Sequence, residues 1–142
     1  MEEETVYIHP DAISAIVAHA AAEAPRECCG LLVGRGSRID RAAPAANVDP
    51  APERRFRVDP RHHIDLRREL RGGPLAIVGA YHSHPSSPAE PSPTDVEEAS
   101  YSDFIHLIVS TQPPRPVVRA YRIVRGIVIP MRLARAQEWP GS

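Results

Sequence analysis

An α/β domain built on one central sheet is the fold this chain predicts, and three observations predict it. Short apolar runs bounded by turn residues recur at 28–33, 75–81, 104–110 and 117–124, each of strand length. Segments with helical spacing or helix-start signals lie between or beside them, at 10–23, 59–70 and 92–100. Strands interleaved with helices place those helices against a sheet. The length, 142 residues, suits a single domain over residues 1–142 with a sizeable buried core.

Taken in order, residues 5–9 read as a first strand. Residues 10–23 read as a helix with Ile13, Ile16 and Val17 as its apolar stripe, stopped by Pro25. Residues 28–33 form a buried strand that runs into the turn Gly34-Arg35-Gly36, and 38–43 supply its hairpin partner. Residues 43–52 are rich in Ala and Pro, hold Asn47-Val48-Asp49-Pro50, and read as a loop. A short strand follows at 56–58. Asp59-Pro60 opens a helix that runs to Leu70 and is closed by Gly72-Gly73-Pro74. Residues 75–81 are a buried strand. Ser92-Pro93 starts a helix to residue 100. Strands at 104–110 and 117–124 lead through Arg125-Gly126 into a last strand at 127–131, and the tail from 133 has weak helical spacing. No internal repeat is evident.

Composition removes several function classes. The 17 basic residues, all arginine, nearly balance 18 acidic ones, so the formal charge of −1 creates no strong field for nucleic acid or membrane. No apolar run approaches the roughly 18–20 residues of a membrane span. Met1-Glu2-Glu3-Glu4 lacks the basic and apolar parts of a signal peptide, which points to the cytoplasm. Cys28 and Cys29 are neighbours on a strand and face opposite sides, so buried, reduced, small apolar residues are expected.

Chemistry concentrates at His82-Ser83-His84-Pro85 and Ser92-Pro93-Thr94-Asp95. Residues two apart on a strand share a face, so His82 and His84 aim at one point, while Tyr81 and Ser83 point away and read as packing. Read singly, the histidines are polar residues at a strand end, and Asp95 is an N3 acid behind the N-cap Ser92. Read together, two imidazoles and a carboxylate make a three-ligand site with one open position, the arrangement of a catalytic zinc. Among the other histidines, His62 and His63 read as surface, His9 and His19 as surface or half-buried, and His106 as a hydrogen-bonded core residue.

The order H-x-H-x7-S-x2-D resembles the signature of the JAMM (MPN+) zinc metalloproteases, and His82, His84, Ser92 and Asp95 match every fixed position. The family's upstream glutamate falls on Glu27, in Glu27-Cys28-Cys29-Gly30-Leu31-Leu32; without the resemblance Glu27 reads as an exposed acid at a strand start. Asn47, Phe56-Arg57-Val58-Asp59-Pro60 and Ala120-Tyr121-Arg122-Ile123-Val124 also look like small prokaryotic members. The resemblance implies a mixed, curved sheet flanked by helices, of the JAB/MPN and cytidine deaminase-like kind. It implies one Zn²⁺ per chain on His82, His84 and Asp95. Glu27 becomes the general base and then acid, and Ser92 the oxyanion donor.

It further implies cleavage of a peptide or isopeptide bond after the Gly-Gly tail of a small ubiquitin-like or sulfur-carrier protein, for example release of cysteine from a carrier. Arg54, Arg55, Arg57 and Arg61 read as a solvated face, or as a grip on an acidic carrier. Two other classes stand beside this one: a zinc hydrolase of small amides, and an inactive scaffold of the same fold. A deaminase is disfavoured, because the H-x-E and P-C-x-x-C pattern is missing. Monomer and homodimer are both open.

Overall fold

The computed structural model describes residues 3–99 and 103–136. Its elements follow as β1 (Thr5–Ile8), α1 (Pro10–Glu23), β2 (Cys29–Arg35), β3 (Arg38–Ala45), α2 (Pro60–Leu70), β4 (Ala76–His84), α3 (Pro93–Glu98), β5 (Ile105–Ser110), β6 (Val117–Val124) and β7 (Ile127–Arg135). The strand order is β1-β3-β2-β4-β5-β6-β7, and β1 pairs in parallel with both β3 and β7. The mixed sheet therefore curves until it closes into a barrel, with β1 bridging Arg38–Ile39 of β3 and Arg132–Arg135 of β7.

Each helix starts with the same device. His9, Asp59 and Ser92 are N-caps that accept a hydrogen bond from a backbone N–H of the first turn, and Pro10, Pro60 and Pro93 follow them. A cap satisfies an amide left open at the helix start, and proline at the next position gives up only a donor that had no partner. The β6–β7 hairpin closes through Arg125 (φ 52°) and Gly126 (φ 78°). Two positive φ values in a two-residue loop match the right-handed twist of the flanking strands.

Both faces of β2 and β4 are covered, which explains their continuous apolar character. On one face Leu32, Tyr81, Leu107 and Val109 pack with Ile16 and Ala20 of α1. On the other, Leu31 and Val33 pack with Leu66 of α2. Alternation along β4 thus sends Tyr81 into the α1 core and the even-numbered residues 80, 82 and 84 to the opposite side. Cys28 and Cys29 are buried and unbridged, and burial pushes both thiols up, to about 11 and about 12.

Several boundaries differ from the sequence reading. β7 continues to Arg135 because Thr5 to Ile8 pair in parallel with Arg132 to Arg135, so the expected helical start at 133 is strand. The rest of that tail, from 137, lies outside the described residues, as does residue 100 of the third helix. The short strand at 56–58 reduces to one bridge between Val58 and Asn47. Among the described residues no helix is long and apolar enough to cross a membrane.

A Cβ on Gly30 would overlap the ring of Tyr81, its cross-strand partner. That ring is fully buried, and its hydroxyl meets a ring nitrogen of His19 at 2.8 Å, so it has nowhere to move. Gly30→Ala is therefore expected to cost about 1–3 kcal/mol of stability, as over-packed cores do, measured by denaturant unfolding. A wild-type midpoint would refute this account of the glycine.

Candidate metal centre

Three elements deliver the site. His82 and His84 end β4, Asp95 stands in the first turn of α3, and Glu27 immediately precedes the Cys28–Cys29 start of β2. The antiparallel register sets Cys29 opposite His82. One step further, the Cys28 N–H donates to Ser83 Oγ at 2.7 Å and the Ser83 N–H donates to the Cys28 carbonyl at 3.1 Å. Ser83 is therefore more than packing: it ties the Glu27 segment to the histidine pair.

Nε2 of His82, Nε2 of His84 and Oδ2 of Asp95 form a triangle with sides of 3.1, 3.1 and 3.2 Å. Two ligands of a tetrahedral ion, each bound at roughly 2.0–2.1 Å, stand about 3.3 Å apart. The donor set fits a metal chemically as well. The Pro88 carbonyl can only accept, so the 2.8 Å contact with His84 Nδ1 puts the ring proton on Nδ1. In the neutral ring, Nε2 of His84 then turns a lone pair toward the lone pairs of Asp95. Convergence of lone pairs on one point is resolved by a cation. A Glu27 carboxylate oxygen and a nitrogen from each histidine also lie within 4.8 Å of one another, a second grouping able to hold a metal.

Each side chain is held in place by its neighbours. Phe56 stacks on the His82 ring with centroids 4.3 Å apart. Asp95 Oδ2 accepts the Ser92 N–H at 2.9 Å while Ser92 Oγ accepts the Asp95 N–H at 3.0 Å. The capping reading and the ligand reading of this segment are thus both satisfied by one geometry. Asn47 makes four hydrogen bonds. Its Nδ2 donates to the carbonyls of Glu27 (2.9 Å) and Arg55 (3.1 Å), and its Oδ1 accepts from the amides of Asp49 and Arg57. The Glu27 N–H donates to the Pro52 carbonyl at 2.7 Å. The backbone of Glu27 is clamped on both sides.

Burial sets the electrostatics. Glu27 is only 7% exposed, its Oε1 has no hydrogen-bond partner, and burial pushes its carboxyl up to about 7. The expectation of an exposed acid from the residue alone is overturned. Burial also lowers the pKa of His82. At His84 burial acts the same way, but the bonds to Asp95 and Pro88 outweigh it and raise the pKa. Asp95 is opposed by burial too, yet the two imidazoles hold its carboxyl far below the usual range.

The remaining expectations divide. His9 and His62 are exposed and His19 is half-buried, as read, but His63 is half-buried and lines a groove next to the site. His106 does not have its expected bond: Nε2 is buried with no partner, and burial lowers the ring's pKa to about 4. Arg61 stays exposed, with its charge paired to Asp59 at 2.8 Å. Ser83, Pro88 and the positioning role of Asn47 carried no local signal; Phe56 was visible only through family resemblance.

The family model for prokaryotic homologs of the JAB domain matches residues 9–124. A CysO-cysteine peptidase from Mycobacterium tuberculosis is 38% identical over 134 residues, covering 90% of this chain and 91% of that protein. A desampylase from Haloferax volcanii is 33% identical over 116 residues, covering 78% and 84%. The solution structure of a Desulfitobacterium hafniense protein superposes with a TM-score of 0.82 at 31% identity, covering 92% of each chain.

Replacing Asn47 tests the clamp. Asn47→Ala strands two carbonyls and two amides at once and should cost about 1–3 kcal/mol, with faster amide exchange across 46–58. Asn47→Asp keeps the two acceptor bonds, so its loss should be smaller. Equal stability and exchange in both variants and the wild type would show that the loop is held by other contacts.

Proposed function

This chain belongs to the prokaryotic homologs of the JAB domain, and on that premise we propose that it is a zinc peptidase. Its substrate is a small ubiquitin-like or sulfur-carrier protein, cut at the peptide or isopeptide bond after a C-terminal Gly-Gly. The observation that carries the proposal is the 3.1–3.2 Å triangle of His82, His84 and Asp95 with the buried carboxyl of Glu27 beside it, its Oε1 without a hydrogen-bond partner. The two curated relatives, named as a CysO-cysteine peptidase and a desampylase, support the reaction class.

In this reading His82, His84 and Asp95 hold the zinc, and Glu27 does not. The triangle is closed at ligand spacing, whereas Glu27 is grouped with the histidines only within 4.8 Å, which leaves room for a water. Bound zinc supplies Lewis acidity, which activates water and polarises the scissile carbonyl. Glu27 takes the proton from the attacking water and returns it to the leaving amine nitrogen. A carboxyl raised to about 7 can do both near neutral pH. The Ser92 hydroxyl accepts the Asp95 amide and keeps its own proton to donate, which suits it to a developing oxyanion.

The substrate tail lies in a groove of about 650 Å³ that opens from the site. Leu31, Ala80, Ile108 and Ile123 contribute apolar surface to it, and Phe56, Arg57 and Phe104 line it as well. An open groove suits an extended peptide better than a small amide, and an inactive scaffold would not need an intact set of ligands and base.

Metal content and turnover separate the roles. His84→Ala and Asp95→Asn should lose bound zinc, while Glu27→Gln should keep it and lose at least about 10²-fold in kcat on CysO carrying a C-terminal cysteine. Zinc lost along with activity in Glu27→Gln would make Glu27 a ligand instead. Zinc retained in both ligand variants would overturn the metal assignment.

Ser92→Ala should lower kcat by roughly 10²–10³, as for one lost oxyanion donor, and stability by about 1 kcal/mol for the lost cap. A lower melting temperature with unchanged kcat would reduce Ser92 to a helix cap.

A further inference from the structure

Helix α2 divides its charges between two flanks. Leu66 is buried against Leu31 and Val33, which fixes how the helix sits on the barrel. On one flank Asp65 and Glu69 line a shallow groove with Arg41, and Arg41 Nη2 reaches Glu69 Oε2 at 3.3 Å. On the other, His63, Arg67 and Arg71 recur every fourth residue, which aligns them on one helical stripe. They line a groove of about 500 Å³ floored by Leu70, Leu75 and Ile77. No acidic residue lines that groove, and neither Arg67 nor Arg71 has an ion-pair partner among the described residues. With a formal net charge of −1, the chain as a whole is not basic; this is a local segregation.

The groove is continuous with the site. His63 and Phe104 line both it and the groove that holds His82 and Asp95. Charges change along the way. Near the triangle the lining is mixed, with Asp49, Glu97 and Glu98 alongside Arg55 and Arg57. Beyond Phe104 the charged residues that line the groove, among the described residues, are basic. Because the two grooves share His63 and Phe104, a substrate whose tail runs through the groove at the triangle has the Arg67–Arg71 flank beside it for its folded body.

We infer that this flank is the docking surface for an acidic face on the folded body of the Gly-Gly-tailed carrier, an inference that rests on the function proposed above. Guanidinium groups pair with carboxylates through two parallel bonds, and Leu70, Leu75 and Ile77 give the pair an apolar floor. Two arginines over an aliphatic floor fit a protein face better than a nucleic-acid backbone, which needs more phosphate contacts along its length.

Binding tests this without depending on catalysis. The zinc-loaded Glu27→Gln chain is titrated with a ubiquitin-fold sulfur carrier of net negative charge ending in Gly-Gly. A peptide of its last five residues is titrated in parallel. Adding Arg67→Glu and Arg71→Glu together should weaken carrier binding by about tenfold or more, and Arg67→Gln with Arg71→Gln should fall between. Peptide affinity should not change. Raising salt from about 0.05 M to about 0.5 M should weaken the carrier complex of the parent far more than that of the reversed variant. Unchanged carrier affinity, equal weakening of carrier and peptide, or the same salt dependence in both would overturn the inference. So would an arginine-dependent affinity for duplex DNA alone. If arginine-dependent carrier binding is present but the wild-type chain cuts neither a carrier–cysteine peptide bond nor a carrier–lysine isopeptide bond, the proposed function falls and the docking surface stands.

Discussion

The site depends on the antiparallel register between β2 and β4. Because Cys29 lies opposite His82, the residue two before Cys29 meets the end of the strand where the histidine pair emerges. Paired hydrogen bonds between Cys28 and Ser83 lock that register at the point where it matters. A slip of one residue would turn both imidazoles into the α1 core and swing Glu27 away, since side chains alternate faces along a strand. Gly30 and Tyr81 enforce the same register from the other side of the sheet: the ring occupies the space that any Cβ at Gly30 would need.

Around this register two buried carboxyls are treated differently by their surroundings. Asp95 is stabilised as an anion by the imidazoles and by the Ser92 amide, despite its burial. Glu27 has no such partner for Oε1, and its proton is correspondingly harder to remove. Two carboxyls beside the same histidine pair are thereby pushed in opposite directions, one toward lasting charge and one toward a proton that can be exchanged. Separation of that kind is how a site assigns different roles to chemically similar groups.

Rigidity comes from loops that reuse ordinary capping and turn chemistry. The Ser92–Asp95 capping box holds the helix start and the candidate ligand with the same pair of bonds. The Asn47 side chain adds to the backbone bonds Val48–Arg57 and Asp59–Ala46, so a segment with a single β-bridge can present Phe56 to the His82 ring. Closure of the barrel by β1 against β7 joins the two ends of the sheet, and the groove beside α2 runs up to the groove at the site.

Read alone, the chain determined most of its elements and singled out the candidate site residues. Those signals are local: the period of apolar residues, the cap-then-proline starts at Asp59 and Ser92, and a spacing that puts His82 and His84 on one strand face. Resemblance to a known family added Glu27, whose segment by itself reads as an exposed acid. Only the tertiary structure decided what depends on contacts between distant segments. The extension of β7 to Arg135 needs β1 beside it. Burial of Glu27 needs the Asn47 loop folded over it, and the value of Ser83 needs Cys28 opposite. The two flanks of α2 differ in what they carry to the groove at the triangle: the basic one shares His63 and Phe104 with it, the acidic one Leu31. Periodicity and capping act within a few residues, whereas desolvation and register are properties of what packs against what, and no short window of sequence contains them.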